Sequence, residues 1–294
     1  MVEDIGKELC FAVKKDVLGK IKANPKLLAL DQKVVKGLAS YEDAYSYAEI
    51  VGTLVSDSLK AHITADVLPD GKMYYNIAQS ILRPVLTSNY EQVARYSAGV
   101  QTALNKKAGL FIKGIESDVD VKRLDGLIDK ISDADDFKKV QWLLDDPIIN
   151  YSQHAVDRTQ KANLDLHAEM GLHPKIKRVS TGKCCKWCQS LVGTYEYPYD
   201  VPADVYKRHR GCRCMVLYNP DNGQGVQDIN QKEKGFMSEK ELKKRINYSE
   251  SQVSMNFGQK KLDRIHREKQ REAEKKAKEE AEKAERIKQQ GEKK

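Results

Sequence analysis

Cys184-Cys185-Lys186-Trp187-Cys188 and, after a 20-residue gap, His209-Arg210-Gly211-Cys212-Arg213-Cys214 are the two runs from which the rest of this chain can be read. Five of the six cysteines in 294 residues fall between them. A C-x-x-C turn brings two thiolates to one point, and a second pair of ligands can arrive from elsewhere in the chain. The second run offers His209, Cys212 and Cys214. Cys212 and Cys214 are two residues apart, so on a strand they share one face. His209 lies on the approach to that strand. A closed structural zinc site needs four ligands. Five are on offer, namely Cys185, Cys188, His209, Cys212 and Cys214, and spacing does not say which four are used. Cys184 is set aside, because adjacent residues of an extended chain point opposite ways.

Outside the two runs, the chain splits into parts of different period. Up to about residue 170 it reads as helices joined by short turns. Ile5, Leu9, Val13, Val17, Leu18 and Ile21 recur at helical spacing. Ser40-Tyr41-Glu42-Asp43 opens a second helical run, and Leu68-Pro69-Asp70-Gly71 is a turn. Ser88-Asn89-Tyr90-Glu91 has the form of a capping box, which predicts a helix starting there and running through Val93, Tyr96, Val100 and Leu104. A further helix is expected over Tyr151–Met170, closed by Gly171. Cys10 sits among Leu9, Phe11 and Val13 and is expected in the core. From Lys175 the period shortens. Lys175–Ser180, Thr194–Tyr197 and Cys214–Tyr218 read as strands.

The expected fold is therefore α+β and mainly α, with four parts. A helical body covers 1–149, a small β-rich Cys/His module 150–220, a polar linker 221–236 and a long charged helix 237–294. Ser238-Glu239-Lys240-Glu241 repeats the capping-box form at the start of that helix. Its Glu-to-Lys or Glu-to-Arg pairs include Glu272/Lys276 and Glu282/Arg286, each adding about 0.2–0.5 kcal/mol to an isolated helix. Its apolar seam is mostly alanine (Ala273, Ala277, Ala281, Ala284), so a solvated single helix suits it better than a strong coiled coil.

The formal charge of +8 is unevenly placed. Residues 260–294 hold 14 Lys/Arg and 9 Asp/Glu, so the tail carries +5 and the rest of the chain +3. A basic tail of this kind can touch phosphates or an acidic protein. The acidic start, Met1-Val2-Glu3-Asp4, lacks the apolar core of a secretory signal, and no apolar run approaches the length of a membrane span. The cysteines are thus expected as reduced thiols of a cytosol.

Three chemistries fit the cluster: a structural zinc site with one ion per chain, a metal-free group of buried thiols, and a redox C-x-x-C. The redox form normally opens a helix within a thioredoxin-like βαβ unit, and no such pattern surrounds Lys186-Trp187. No enzyme is expected. Cys with His can make a nucleophile and base, but no third orienting group can be named. Asp145, Asp146, Asp157 and Glu169 read as helix-surface acids, and His154, His167 and His173 as ordinary helix or loop histidines. The chain has no P-loop, no G-x-G-x-x-G and no H-E-x-x-H.

Cys185-x-x-Cys188, Leu191-x-Gly193, an aromatic strand and His209-x-x-Cys212-Arg213-Cys214 together resemble the Mu F-like head morphogenesis (minor head) proteins of tailed bacteriophages. Lys175–Ser180 fits that family's entry strand. The resemblance spans about residues 150–220. The chain departs from the family at Val192, where Asp is frequent, and at Lys207-Arg208, where Pro-Pro is frequent. The resemblance implies a non-enzymatic minor capsid protein in the virion, inside the head and near the portal. It implies the portal and capsid or scaffold proteins as partners, and roles in assembly and DNA delivery. The residues themselves leave a second reading open, a zinc-containing nucleic-acid-binding protein that contacts DNA through its basic tail.

Overall fold

The periodic apolar runs fold as helices. In order they are α1 (Val2–Ala23), α2 (Pro25–Val35), α3 (Tyr41–His62), α4 (Tyr75–Lys107), α5 (Val121–Ser132), α6 (Phe137–Val140), α7 (Asp146–Glu169) and α8 (Lys186–Ser190). Among the described residues three short strands complete the set: β1 (Lys175–Val179), β2 (Gly193–Glu196) and β3 (Met215–Tyr218). The structure is a computed structural model and describes residues 2–180, 184–218 and 220. These belong to one unit spanning residues 1–225. The expected linker, the charged C-terminal helix and the basic tail lie outside the described residues. Among those described, no helix is long and apolar enough to cross a membrane. The architecture is α+β and mainly α, as the sequence predicts.

Local chemistry sets several helix ends. The Asn24 side chain accepts from the Lys26 and Leu27 amides at 3.0 and 3.2 Å, and Pro25 occupies the first helical position of α2. α7 ends in Gly171 at φ +82°, with the Gly171 amide donating to Ala168 and the Leu172 amide to His167. Only glycine takes that conformation without strain, so Gly171 closes the helix as expected.

One sequence reading fails. Ser88 does not start a helix, because α4 runs unbroken from Tyr75 through it. Ile77, Ile81, Leu82, Val85 and Leu86 carry the buried stripe of α4 back past Ser88, even across Pro84 inside the helix. Burial of that continuous face outweighs both the cap pattern and the amide that proline lacks.

The core of the body is α3, α4 and α7, with α1 lying on α3 and α4. At the α3–α7 crossing, a Cβ on Gly52 would sit 2.9 Å from the Ile149 Cα and 2.7 Å from the Ser152 hydroxyl. Any side chain there would push the two helices apart. Cys10 is half-buried and packs against this core.

The strands form one antiparallel sheet in the order β2-β1-β3. Ile176 pairs with Tyr195 on one side and Tyr218 on the other, while Arg178 pairs with Gly193 and Val216. The alternation of β1 turns Ile176 and Arg178 inwards and leaves Lys175 and Lys177 outside. Ile176, Val216 and Tyr218 join the same buried cluster as the helices.

α7 also carries a buried polar face, from which Gln160 and His167 reach β3. Asn150, Gln153, Asp157, Gln160, Asn163 and His167 recur every three or four residues and are all buried. His167 Nδ1 shares a hydrogen bond of 2.5 Å with the Tyr218 hydroxyl, and its Nε2 has no partner. Burial lowers its pKa from 6.5 to about 4. The folded protein therefore keeps His167 neutral at a pH where the unfolded chain has already taken up a proton. Stability contributed by this group is complete above about 6.5 and is lost as the pH falls towards 4. The loss is on the order of 3 kcal/mol, at about 1.4 kcal/mol per tenfold in protonation. Urea midpoints measured from pH 7.5 downwards are expected to fall less steeply in His167→Phe than in the parent, and equal slopes would remove His167 as the cause.

Candidate metal centre

Each half of the cysteine motif is held by a different local device. Cys185 is the N-cap of α8, and its Sγ accepts from the Cys188 amide at 3.4 Å. One helical turn thus brings the two C-x-x-C thiols to the same end. In the second half, Gly211 takes φ +69° and the Cys212 amide donates to the His209 carbonyl at 3.1 Å. This tight turn brings His209 and Cys212 each within reach of Cys188. β3 begins only at Met215, so Cys212 and Cys214 lie on the approach to the strand rather than within it. Cys185 does open a helix, as a redox pair would, but α8 has five residues and the sheet around it is antiparallel rather than a βαβ unit.

All five sequence-predicted ligands converge. Cys185, Cys188 and His209 place their ligand atoms within 4.8 Å of one another, and so do Cys188, Cys212 and Cys214. Cys188 belongs to both groups and is fully buried, while Cys185 and His209 face solvent. Cys185 Sγ lies 3.4 Å from His209 Nε2, and Cys188 Sγ 3.7 Å from Cys212 Sγ. His209 Nδ1 lies 2.7 Å from the Arg210 carbonyl. Donation to that oxygen leaves Nε2, the atom beside Cys185, free to bind a metal. Cys184 packs against the cluster without joining either group.

Crowding splits the thiols into two kinds. Hydrogen bonding from the Cys188 amide lowers the pKa of Cys185. Burial, reinforced by the neighbouring Cys212 and Cys214, pushes Cys188 up to about 12. Burial also raises Cys214, helped by Cys212. In Cys212 burial acts upwards but is outweighed by the Cys214 amide and the Arg208 charge, so its pKa is lowered. Thiols this close cannot all ionise alone, whereas a cation among them would let them do so.

A buried cation already stands beside them. Arg178 is 1% exposed, has no carboxylate partner among the described residues, and directs Nη2 at Cys188 Sγ, 3.8 Å away. Its other bonds go to the Val205 and Lys207 carbonyls, and its Nε has no partner. A buried charge without a counter-ion is costly. Thiolates that outnumber the charge of a divalent ion would supply the missing negative charge, so the donor set and its surroundings fit a bound metal. No family, curated protein or solved structure matches the chain.

The centre is tied to the helical body by two arginines. Arg208 makes a two-pronged ion pair with Asp157 on α7, both contacts at 2.7 Å, and donates to the Cys214 carbonyl at 2.5 Å. Both side chains are 2% exposed. Tyr45 on α3 donates to the same carboxylate at 2.6 Å and accepts from the Val216 amide at 3.2 Å. Arg213 reaches Glu49 on α3 at 2.9 Å and Asp146 on α7 at 3.1 Å. Asn150 donates to the His209 carbonyl and Gln160 to that of Val216.

Asp157 is therefore not the surface acid the sequence suggests. Asp145 accepts from Lys60, Asp146 pairs with Arg213, and Glu169 is exposed. His154 pairs with Asp120 at 2.9 Å, His167 with Tyr218, and His173 lines a separate groove; none joins the cysteines. Sequence reasoning missed Arg178, Arg208 and the buried polar face of α7. The signal for the last was present, as Asp146, Asn150, Gln153, Asp157 and Gln160 repeat at helical spacing.

Proposed function

We propose that this chain is a non-enzymatic minor head protein of a tailed phage, acting at the portal and capsid interior, with one structural Zn²⁺ pinning its β-rich module. The observation that carries the reading is the use made of the motif residues. Cys188 lies within ligand reach of Cys185 and His209 on one side and of Cys212 and Cys214 on the other, and Arg213, between those last two, clamps the site to α3 and α7. Residues that resemble the Mu F-like signature are thus occupied in holding the module on the body. Zinc suits them best. Tetrahedral bonds of about 2.3 Å to sulfur and about 2.0 Å to nitrogen imply S–S and S–N edges of about 3.8 and 3.5 Å. The observed pairs, at 3.7 and 3.4 Å, are close to those edges. Three thiolates and one imidazole around Zn²⁺ carry a net charge of −1, which Arg178 balances.

In this assignment Cys212 is the fourth ligand and Cys214 a neighbouring thiol. The module gives the helical body one rigid face for docking, and DNA contact falls to residues 260–294. A second reading has one observation in its favour: Cys185, with its lowered pKa, lies beside a histidine, as in a Cys–His nucleophile pair. In that case Cys185 and His209 would be free of metal, and iodoacetamide would inactivate an activity by alkylating Cys185.

The test is co-purification with the portal protein of the same genome, followed by immunodetection in procapsids and virions. Retention on the portal and presence in particles are expected. Absence from both particles, with no portal binding, would reject the minor head reading.

A further inference from the structure

A second feature lies on the helical body, away from the cysteines. α2 and the segment 113–116 form the two walls of a groove of about 760 Å³, floored by Ala98, Gly99, Thr102 and Ala103 of α4. The floor is small and mostly apolar, and the rim is basic. Lys36, Arg95, Lys106, Lys107 and Lys113 line it against a single acid, Glu116, which lies 3.8 Å from Arg95. The four lysines have no ion pair among the described residues. Val35 in the wall is 87% exposed. An apolar side chain so exposed at a groove suits an interaction surface.

The walls are fixed in advance. The Gly114 amide donates to the Thr102 hydroxyl at 2.9 Å, Asn105 donates to the Ile112 carbonyl at 3.0 Å, and the Ile115 amide donates to Asn163 at 2.9 Å. A preformed groove costs its ligand little ordering.

We propose that this groove receives an acidic amphipathic helix of a protein partner. An apolar floor of small residues accepts the apolar stripe of such a helix, and the lysine rim faces its acidic flanks. A nucleic-acid strand would use the rim alone. It would find no aromatic side chain in the lining on which to stack a base. The proposal does not depend on the metal or on the phage reading.

Fluorescence anisotropy with the full chain tests it, using a labelled peptide with Leu and Ala on one helical face and Glu on the other. Its scrambled isomer and a labelled single-stranded oligonucleotide serve as the other probes. The amphipathic peptide is expected to bind, more weakly as salt rises, and the scrambled isomer not to bind. Lys106→Glu/Lys113→Glu should weaken peptide binding about tenfold, since each exchanged attraction is worth a fraction of a kcal/mol. Val35→Asp should weaken it several-fold. All three positions are exposed, so the fold is expected to survive, as circular dichroism will verify. Failure of the peptide to bind would overturn the proposal. So would binding unchanged in both variants, or oligonucleotide binding, lost in the double variant, in place of peptide binding.

Discussion

Cys188→Ala is expected to empty the centre of metal and to free the β-rich module from the helical body. Cys188 is the one thiol shared by both groups of ligands, and it is fully buried. Its loss removes a ligand and leaves Arg178 without the sulfur it faces. Structural zinc contributes about 10–16 kcal/mol to the folding of isolated zinc-finger peptides. A module also held by Arg208 and Arg213 loses less than that, but several kcal/mol is expected. Elemental analysis should fall from about one zinc per chain to none. Far-UV circular dichroism should change little, because most of the helix lies in α1, α3, α4 and α7. Trp187, in the short helix between the ligands, should shift its emission to the red. Cys214→Ser is expected to keep the metal and Cys212→Ser to lose it. Full zinc content in Cys188→Ala would end the assignment of this site.

Asp157→Ala is expected to be the most damaging change in the body. It strands Arg208 at 2% exposure and takes the acceptor from Tyr45. Removing one partner of a buried ion pair costs about 3–5 kcal/mol. For a unit of this size each kcal/mol lowers the melting temperature by about 2–4 °C, so a fall of about 6–20 °C is expected in a thermal melt. Replacing both partners, Asp157→Leu with Arg208→Met, should recover much of the loss, because no charge is left unpaired. A double variant as unstable as the single one would show that the damage comes from Tyr45 and the Cys214 carbonyl instead.

The helical body, the three strands and the convergence of Cys185, Cys188, His209, Cys212 and Cys214 were legible from spacing and residue type. Spacing places a residue on a face, but it does not say what that face meets. Asp157 looked like a surface acid because its partner lies 51 residues away. Lys207-Arg208 looked like a departure from a proline-rich loop, yet Arg208 is the anchor of that loop to α7. Arg178 fell on the inward side of β1, where charge is unusual, and the thiol it approaches belongs to a different element, α8. Ser88-x-x-Glu91 carried the form of a cap inside a helix whose buried stripe never breaks. In each case a distant contact decided the outcome over the local pattern.

The bond from the Val216 amide to the Tyr45 hydroxyl joins residues 171 positions apart. During synthesis at about 5–20 residues per second, Tyr45 emerges roughly 10–30 s before its partner exists. Once α7 is made, Asn150, Gln160 and His167 still wait for the partners that residues 209–218 will bring them. A hydrophilic seam is soluble while it waits, where an apolar one would invite aggregation. β3 is thus the strand that locks the first half of the body, and the nascent chain is shielded until then by the very polarity of its unfinished interface.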